Sequence, residues 1–224
     1  MKRIALTLLI VGVSASLFGG ALVEGQKKAL TPDLAKLAES KSFKTFNRNV
    51  SVLSDGTKKG VHLSAGPGDG MAYIEGSEFG DGAIEFDVRG KDVLQQSFVG
   101  VAFHGVDGTT FDAIYLRPFN FRASDPERRS HCVQYISHPT YTWQKLRTEH
   151  PGVYEQPINP APDPTGWVHV RVVVASPKVS VFINSAKEPS LVVTQLSDRK
   201  KGLVGLWVGN SSDGDFSNLT ILPN

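Results

Sequence analysis

The hydrophobic pattern of the chain changes character twice. Ile4 to Phe18 is an apolar, uncharged run, preceded by Met1-Lys2-Arg3 and followed by Gly19-Gly20-Ala21. A positive start, a short apolar core and small residues spell an export signal, cleaved after Ala21. The run is shorter than the roughly 20 residues of a membrane span. No cysteine near the cleavage region offers a lipid anchor. The expectation is a secreted or periplasmic protein with no stable membrane anchor after cleavage. Residues 22–41 then hold one short helix. Thr31-Pro32-Asp33 reads as a cap, a first-turn proline and a dipole-complementing acid, and Leu34, Leu37 and Ala38 follow at helical spacing to about Ser40.

From there the period is two. Alternation predicts strands at 50–54, 61–65, 71–75, 83–89, 98–104, 111–117, 133–137, 167–174, 178–184, 191–193, 203–208 and 217–222. Turn residues punctuate them, as in Gly66-Pro67-Gly68-Asp69-Gly70. Many short strands without intervening helices predict an all-β fold, a jelly-roll β-sandwich of two antiparallel sheets, over residues 42–224. One stretch, residues 118–164, breaks the rhythm with a single clear strand among prolines, charges and aromatics. Long insertions of this kind are usually functional or disordered, and the aromatics (Phe119, Phe121, Tyr141, Trp143 and Tyr154) argue for order.

Alternation also sorts faces. Ile84, Phe86 and Val88 point to the core, with Glu85, Asp87 and Arg89 opposite. The valines at 168, 170, 172 and 174 leave Trp167, His169 and Arg171 on the other side. Ile114 and Leu116 oppose Ala113, Tyr115 and Arg117, and Val204, Leu206 and Val208 oppose Gly205 and Trp207. A face mixing Trp, Tyr, His, Arg and carboxylates with small residues such as Gly100, Ala102 and Gly205 suits a sugar. Aromatic rings stack on its C–H groups and paired polar groups fix its hydroxyls.

Composition narrows the partner. The 24 Lys and Arg include Lys2 and Arg3, so without the leader 22 cations balance the 22 Asp and Glu. No nucleic acid is expected, because phosphate binding needs a cationic surplus. Cys132 is the single cysteine, which excludes an internal disulfide and reads as a small buried hydrophobe. No cofactor is implied. Asn210-Ser211-Ser212-Asp213-Gly214-Asp215 is a candidate structural calcium loop, although its spacing is not that of an EF-hand.

The run Gly202-Leu203-Val204-Gly205-Leu206-Trp207-Val208-Gly209, with Asp213-Gly214-Asp215-Phe216-Ser217-Asn218-Leu219-Thr220-Ile221, resembles the closing strands of concanavalin A-like lectin/glucanase jelly rolls. Within that superfamily it is most similar to bacterial laminin-G-like and 3-keto-disaccharide hydrolase-type (glycoside hydrolase 16-like) domains. Gly82-Ala83-Ile84-Glu85-Phe86-Asp87-Val88 and Trp167-Val168-His169-Val170-Arg171-Val172 match two further strands. The resemblance covers about residues 42–222 and implies carbohydrate binding or cleavage. Family 16 glucanases carry E-x-D-x-x-E on one strand. Here Glu85 and Asp87 occupy the first two acidic places and Gly90 the third, so that machinery is incomplete.

The candidate chemistry follows. Glu85 and Asp87, about 6.6 Å apart along a strand, are candidate catalytic acids of a glycoside-cleaving pair. His138 is a candidate general base or acid. Arg117, Asn120 and Arg122 lead a binding set with Tyr115, Gln134, Trp143, His104, Arg171 and Trp207. Convergence of Arg117, Arg122 and Arg147 would clamp a carboxylate, so acidic oligo- or polysaccharides such as uronates are included. Alginate lyases on this scaffold use Arg, Gln, His and Tyr, types found here without their order. Tyr135 and Tyr154 would serve such an elimination. Alternatively Arg147 with Glu149 or Glu155 ties down the insertion. The reading is an exported carbohydrate-binding or carbohydrate-cleaving protein, either a hydrolase or lyase, a non-catalytic module, or an envelope domain for protein contacts.

Overall fold

The alternating segments become fourteen strands among the residues described by the computed structural model, which are 28–224 apart from Asp55 and Thr57. The leader and its cleavage site lie outside those residues. In chain order the strands are β1 (Phe43–Phe46), β2 (Val50–Val52), β3 (Gly60–Leu63), β4 (Gly70–Phe79), β5 (Gly82–Arg89), β6 (Val99–Gly105), β7 (Phe111–Leu116), β8 (Val133–His138), β9 (Glu155–Gln156), β10 (Val168–Ala175), β11 (Lys178–Ile183), β12 (Leu191–Thr194), β13 (Gly202–Val208) and β14 (Gly214–Pro223). They form two antiparallel seven-stranded sheets. The first has the order β1-β4-β13-β6-β7-β8-β9 and the second β12-β11-β10-β5-β14-β3-β2.

The fold is therefore an all-β sandwich. Every strand predicted by alternation is present. Strands β1 and β9 are additional: Phe43-Lys44-Thr45-Phe46 does not alternate, and β9 is only two residues long. The helix at the start, α1 (Leu34–Glu39), is capped by Asp33 rather than Thr31, the Lys36 backbone N–H donating to Asp33 Oδ1 at 3.2 Å.

The core lies between the inner faces of the sheets. From the first come Val99, Val101, Ile114, Leu116, Val204, Leu206 and Val208, and from the second Ile84, Phe86, Val88, Val170, Val172, Val174 and Phe216, all essentially inaccessible to water. Each such side chain contributes about 1.5–3 kcal/mol by leaving water. Without disulfides, this burial carries the fold.

The insertion is ordered and contributes to the first sheet. It comprises a 3-10 turn (Pro118–Asn120), the helix α2 (Pro126–Arg129), β8, the helix α3 (Trp143–Glu149) and β9. The two helices were not foreseen. Cap chemistry sets them: Asp125 accepts from the Glu127 N–H, and Thr142 caps α3 through the Lys145 N–H.

Candidate functional site

Register places the chemistry. Residues directly opposite each other across neighbouring strands share a face. Successive pairings run Phe46–Met71, Met71–Trp207, Trp207–Gly100, Gly100–Tyr115, Tyr115–Gln134 and Gln134–Glu155, so one row crosses the first sheet on its outer face. The next row holds Tyr73, Gly205, Ala102, Ala113 and Ile136. This face is not the open platform that alternation implies: Tyr115 and Trp207 are only 2% exposed.

Gly100 allows the central contact. Having no side chain, it lets the rings of Tyr115 and Trp207 meet above it with centroids 4.9 Å apart. The Tyr115 hydroxyl donates to Gln134 Oε1 at 2.8 Å and accepts from Arg117 Nη2 at 2.8 Å, and Arg117 also reaches Gln134 Oε1. Burial pushes the phenol up to about 12. The charges of Arg117, Glu155, Asp69 and Arg147 also act on it.

Glu155 closes the row. It receives Arg147 through Nε and Nη2, both at 2.7 Å, with Arg117 Nη1 at 3.4 Å and His131 Nδ1 at 3.0 Å. Burial raises its pKa, but the Arg147 hydrogen bonds and the charges of Arg117, Arg147 and His131 outweigh that and hold it below its ordinary value. The arginines converge, as expected for two of the three, but on a carboxylate of the protein itself. Arg122 is exposed and lies in the field of Asp163. Asn120 is buried inside the insertion, donating to the His131 carbonyl at 3.2 Å and accepting from Arg128 at 3.2 Å. The three-arginine clamp for an acidic sugar is not formed.

Two groups on this face are conspicuous for what they do not touch. Gln134 Nε2 and Trp207 Nε1 are buried hydrogen-bond donors without a partner. Leaving a buried donor unpaired costs about 1–3 kcal/mol, so such groups are rare and call for an explanation.

The rim is more accessible. His138 ends β8 with its ring stacked on Phe111, its cross-strand neighbour, centroids 4.9 Å apart. Its Nδ1 lies 3.6 Å from Asp69 Oδ2. Burial lowers the histidine pKa and raises that of Asp69, while each charge opposes the change in its partner. Trp143 stands exposed on α3 with the Arg147 guanidinium 5.0 Å over its ring. Asp69 is the residue that sequence reasoning missed: in Gly66-Pro67-Gly68-Asp69-Gly70 it looked like turn punctuation.

The remaining candidates lie elsewhere. Glu85, Asp87 and Arg171 are on the outer face of the second sheet, across the sandwich from Tyr115. There Asp87 is held by Lys58, by His169 Nδ1 at 2.8 Å and by Asn218 at 2.6 Å, and Glu85 pairs with Arg171 at 3.0 Å. They do not share a groove with His138 or Arg117. His104 is fully buried in the core. Its φ of 48° and a register shift opposite Leu203–Gly205 turn it away from the outer face and inward, where it donates through Nε2 to the Gly80 carbonyl at 3.0 Å and meets Asp112 at 3.5 Å.

The calcium loop does not present open ligands either. Asp215 pairs with Arg89 and His62, both at 2.7 Å, and Asp213 with Lys91 and His62. Among the described residues no group of three or more His, Cys, Asp or Glu is arranged for a metal, and no helix is long and apolar enough to cross a membrane.

No protein-family model and no curated protein matches the chain. Solved structures do. The carbohydrate-binding module CBM66 from Bacillus subtilis superposes with a TM-score of 0.56 at 13% identity, over 80% of this chain and 95% of that one. A Bacillus subtilis protein of galectin-like fold gives 0.59 at 12% identity, over 88% and 96%. The exoplasmic/lumenal domain of VIP36, in its calcium- and mannose-bound form, gives 0.55 at 10% identity, over 86% and 88%. At these identities the likeness establishes a concanavalin A-like jelly-roll fold.

Proposed function

We propose that the protein is an exported carbohydrate-binding protein that holds its sugar on the outer face of the first sheet, around Tyr115 and against the insertion. One observation carries this reading. Gln134 Nε2 and Trp207 Nε1 are unpartnered donors on either side of Tyr115, in a row whose other polar groups are satisfied. Both are closed to solvent in the unliganded protein, so a sugar hydroxyl would complete them by displacing the side chains that cover them, while the rim aromatic Trp143 would meet its C–H surface. That CBM66 is a carbohydrate-binding module and VIP36 was solved with mannose agrees with this reading. Secretion or a periplasmic location follows from the leader sequence.

Binding is favoured over cleavage. The acids Glu85 and Asp87 face away from this site, and Glu155 is committed to Arg117, Arg147 and His131. Paired-carboxylate chemistry needs two acids flanking one bond, and among the described residues of the row the one acid, Glu155, is held by cations. A second reading, cleavage with His138 moving the proton, is favoured only by the 3.6 Å approach of Asp69 to its Nδ1.

The test uses residues 22–224 with a panel of neutral and acidic oligosaccharides, followed by calorimetry and by mass spectrometry of products. Saturable binding without products is expected. Trp207→Phe keeps an aromatic ring on this strand but loses the indole N–H, and should weaken that binding about tenfold. Products that disappear in His138→Gln would establish the second reading, and no binding across the panel would overturn the first.

A further inference from the structure

We propose that Phe98 is the gate of the sugar face, its partly exposed ring closing the row at Tyr115 and turning aside when a sugar enters. The proposal rests on the sugar-binding reading above and specifies how a closed face admits a ligand.

The row is shut although it lies on an outer face: Tyr115, Trp207 and Gln134 are all buried. Alternation names a side chain that helps to shut it. Phe98 immediately precedes β6 and lies on the same side as Gly100 and Ala102. Those two positions carry at most a methyl group, so Phe98 supplies the bulk at this end of the strand. It is half-buried, and its exposed part is what a ligand meets first.

The ring touches the row directly. It stands edge-on to Tyr115, with centroids 6.0 Å apart, and edge-on to Phe119 of the 3-10 turn at 5.4 Å. The Arg117 guanidinium, which bonds the Tyr115 hydroxyl and Gln134, lies 5.7 Å from the Phe98 centroid. On the other side Gly209 leaves room for the root of the side chain. A Cβ added at Gly209 would come within 2.8 Å of the Phe98 Cβ and 3.1 Å of Trp207 Cη2. Phe98 is thus set among Trp207, Tyr115, Arg117 and Phe119.

Its backbone is fixed while its ring is not. The Phe98 N–H donates to Ser212 Oγ at 2.9 Å, and its carbonyl accepts from the Gly209 N–H at 3.0 Å. Moving the loop would break both bonds, whereas turning the ring into another staggered rotamer breaks neither. What the ring gives up is a pair of edge-on aromatic contacts. Stacking on the C–H surface of a sugar replaces contacts of that kind.

Two measurements test the gate. Hydroxyl-radical footprinting read by mass spectrometry needs no ligand. Phe98→Ala should label Tyr115 several-fold faster than wild type, while Tyr135, buried on the same sheet, stays protected. Phe98→Tyr keeps the ring and should keep Tyr115 protected. Unchanged Tyr115 labelling in Phe98→Ala would overturn the gate. Stopped-flow fluorescence then follows association of gluco-, manno- and galacto-oligosaccharides and their uronate counterparts. In wild type the observed rate should level off as sugar concentration rises, because opening becomes limiting. In Phe98→Ala it should keep rising, with association about tenfold faster for an open fraction of about a tenth. A wild-type rate that rises linearly throughout, or no gain in Phe98→Ala, would overturn the gate and leave sugar binding in place. Failure of every sugar to bind would overturn the parent reading and this one with it. If Phe98→Ala exposes Tyr135 as well, it has lost the fold, and the levelling-off in wild type decides.

Discussion

Gly100 shows how one missing side chain shapes the site. It lies between Trp207 and Tyr115 in the row, and an added Cβ would run into the Ile114 carbonyl oxygen of β7 and come within 2.6 Å of the Tyr115 Cα. Gly100→Ala should therefore force β6 and β7 apart and cost about 3 kcal/mol of stability or more, read as a lower urea midpoint at unchanged slope. A shift below about 0.5 kcal/mol would mean that the close approach of the two strands is not needed. Trp207→Phe acts through two opposed effects. It removes an unpaired buried N–H but also takes a ring out of a packed site, so it should lower stability by about 1 kcal/mol or more. An unchanged melting temperature would show that relief of the unpaired N–H offsets the lost packing.

At this scale alternation correctly paired Gly100 and Gly205 with Tyr115 and Trp207 as one side of their strands. It failed for His104, because a left-handed backbone and a register shift are set by the neighbouring strand and not by the local pattern.

Among the elements, the insertion departs furthest from what the sequence makes legible. Its strand β8 was visible because Val133-Gln134-Tyr135-Ile136 alternates. Helix α3 was not: it is two turns long with Leu146 as its one buried residue, too little for an apolar stripe. That construction also predicts how it fails. Leu146 and the Arg147–Glu155 ion pair hold α3 to the sheet. Leu146→Ala should open residues 140–156 to amide hydrogen exchange while the protection of β5, β10 and β14 stays intact. Loss of protection throughout the sandwich would instead make the insertion part of one cooperative unit. Arg147 with Glu155 was readable as an alternative to a ligand clamp, yet only the fold shows Arg117 and His131 joining the same carboxylate.

For the molecule as a whole, the sandwich has two polar outer faces, and the sequence pattern alone merges them. Alternation tells which residues share a side of a strand. Which sheet a strand joins depends on long-range pairing, β5 with β10 and β14, β7 with β6 and β8. Hence Glu85, Asp87 and Arg171 were grouped with residues that lie across the core from them.

Whole-molecule stability should follow the buried acids. For Glu155, Asp87 and Asp112, burial alone would raise the pKa. It is outweighed at Glu155 by Arg147 and the neighbouring cations. At Asp87 the hydrogen bonds from Lys58, His169 and Asn218 prevail. At Asp112 those from His104, Ser197 and Ser137 do so, with the charge of Arg199. A carboxyl depressed in the folded state stabilises above its unfolded pKa and loses that contribution as pH falls through the folded value. Stability should therefore start to fall near the ordinary values of 4.5 for Glu155 and 3.8 for the aspartates, and continue downward below them. Asp69, whose pKa is raised, acts in the opposite sense and softens the fall. In thermal melts from pH 7 to pH 3, Glu155→Gln should be less stable at pH 7 and lose less on acidification. An acid response equal to wild type would remove Glu155 from this account.

The most direct measurement is a nitrogen-15 NMR titration of residues 22–224 with the oligosaccharide that calorimetry selects. The account predicts that the Trp207 indole and Gln134 side-chain amide signals move on binding, while backbone amides of Glu85, His169 and Arg171 on the opposite face stay still. Binding that shifts the Glu85–His169–Arg171 face and leaves the Trp207 indole unmoved would place the sugar on the other sheet and contradict it.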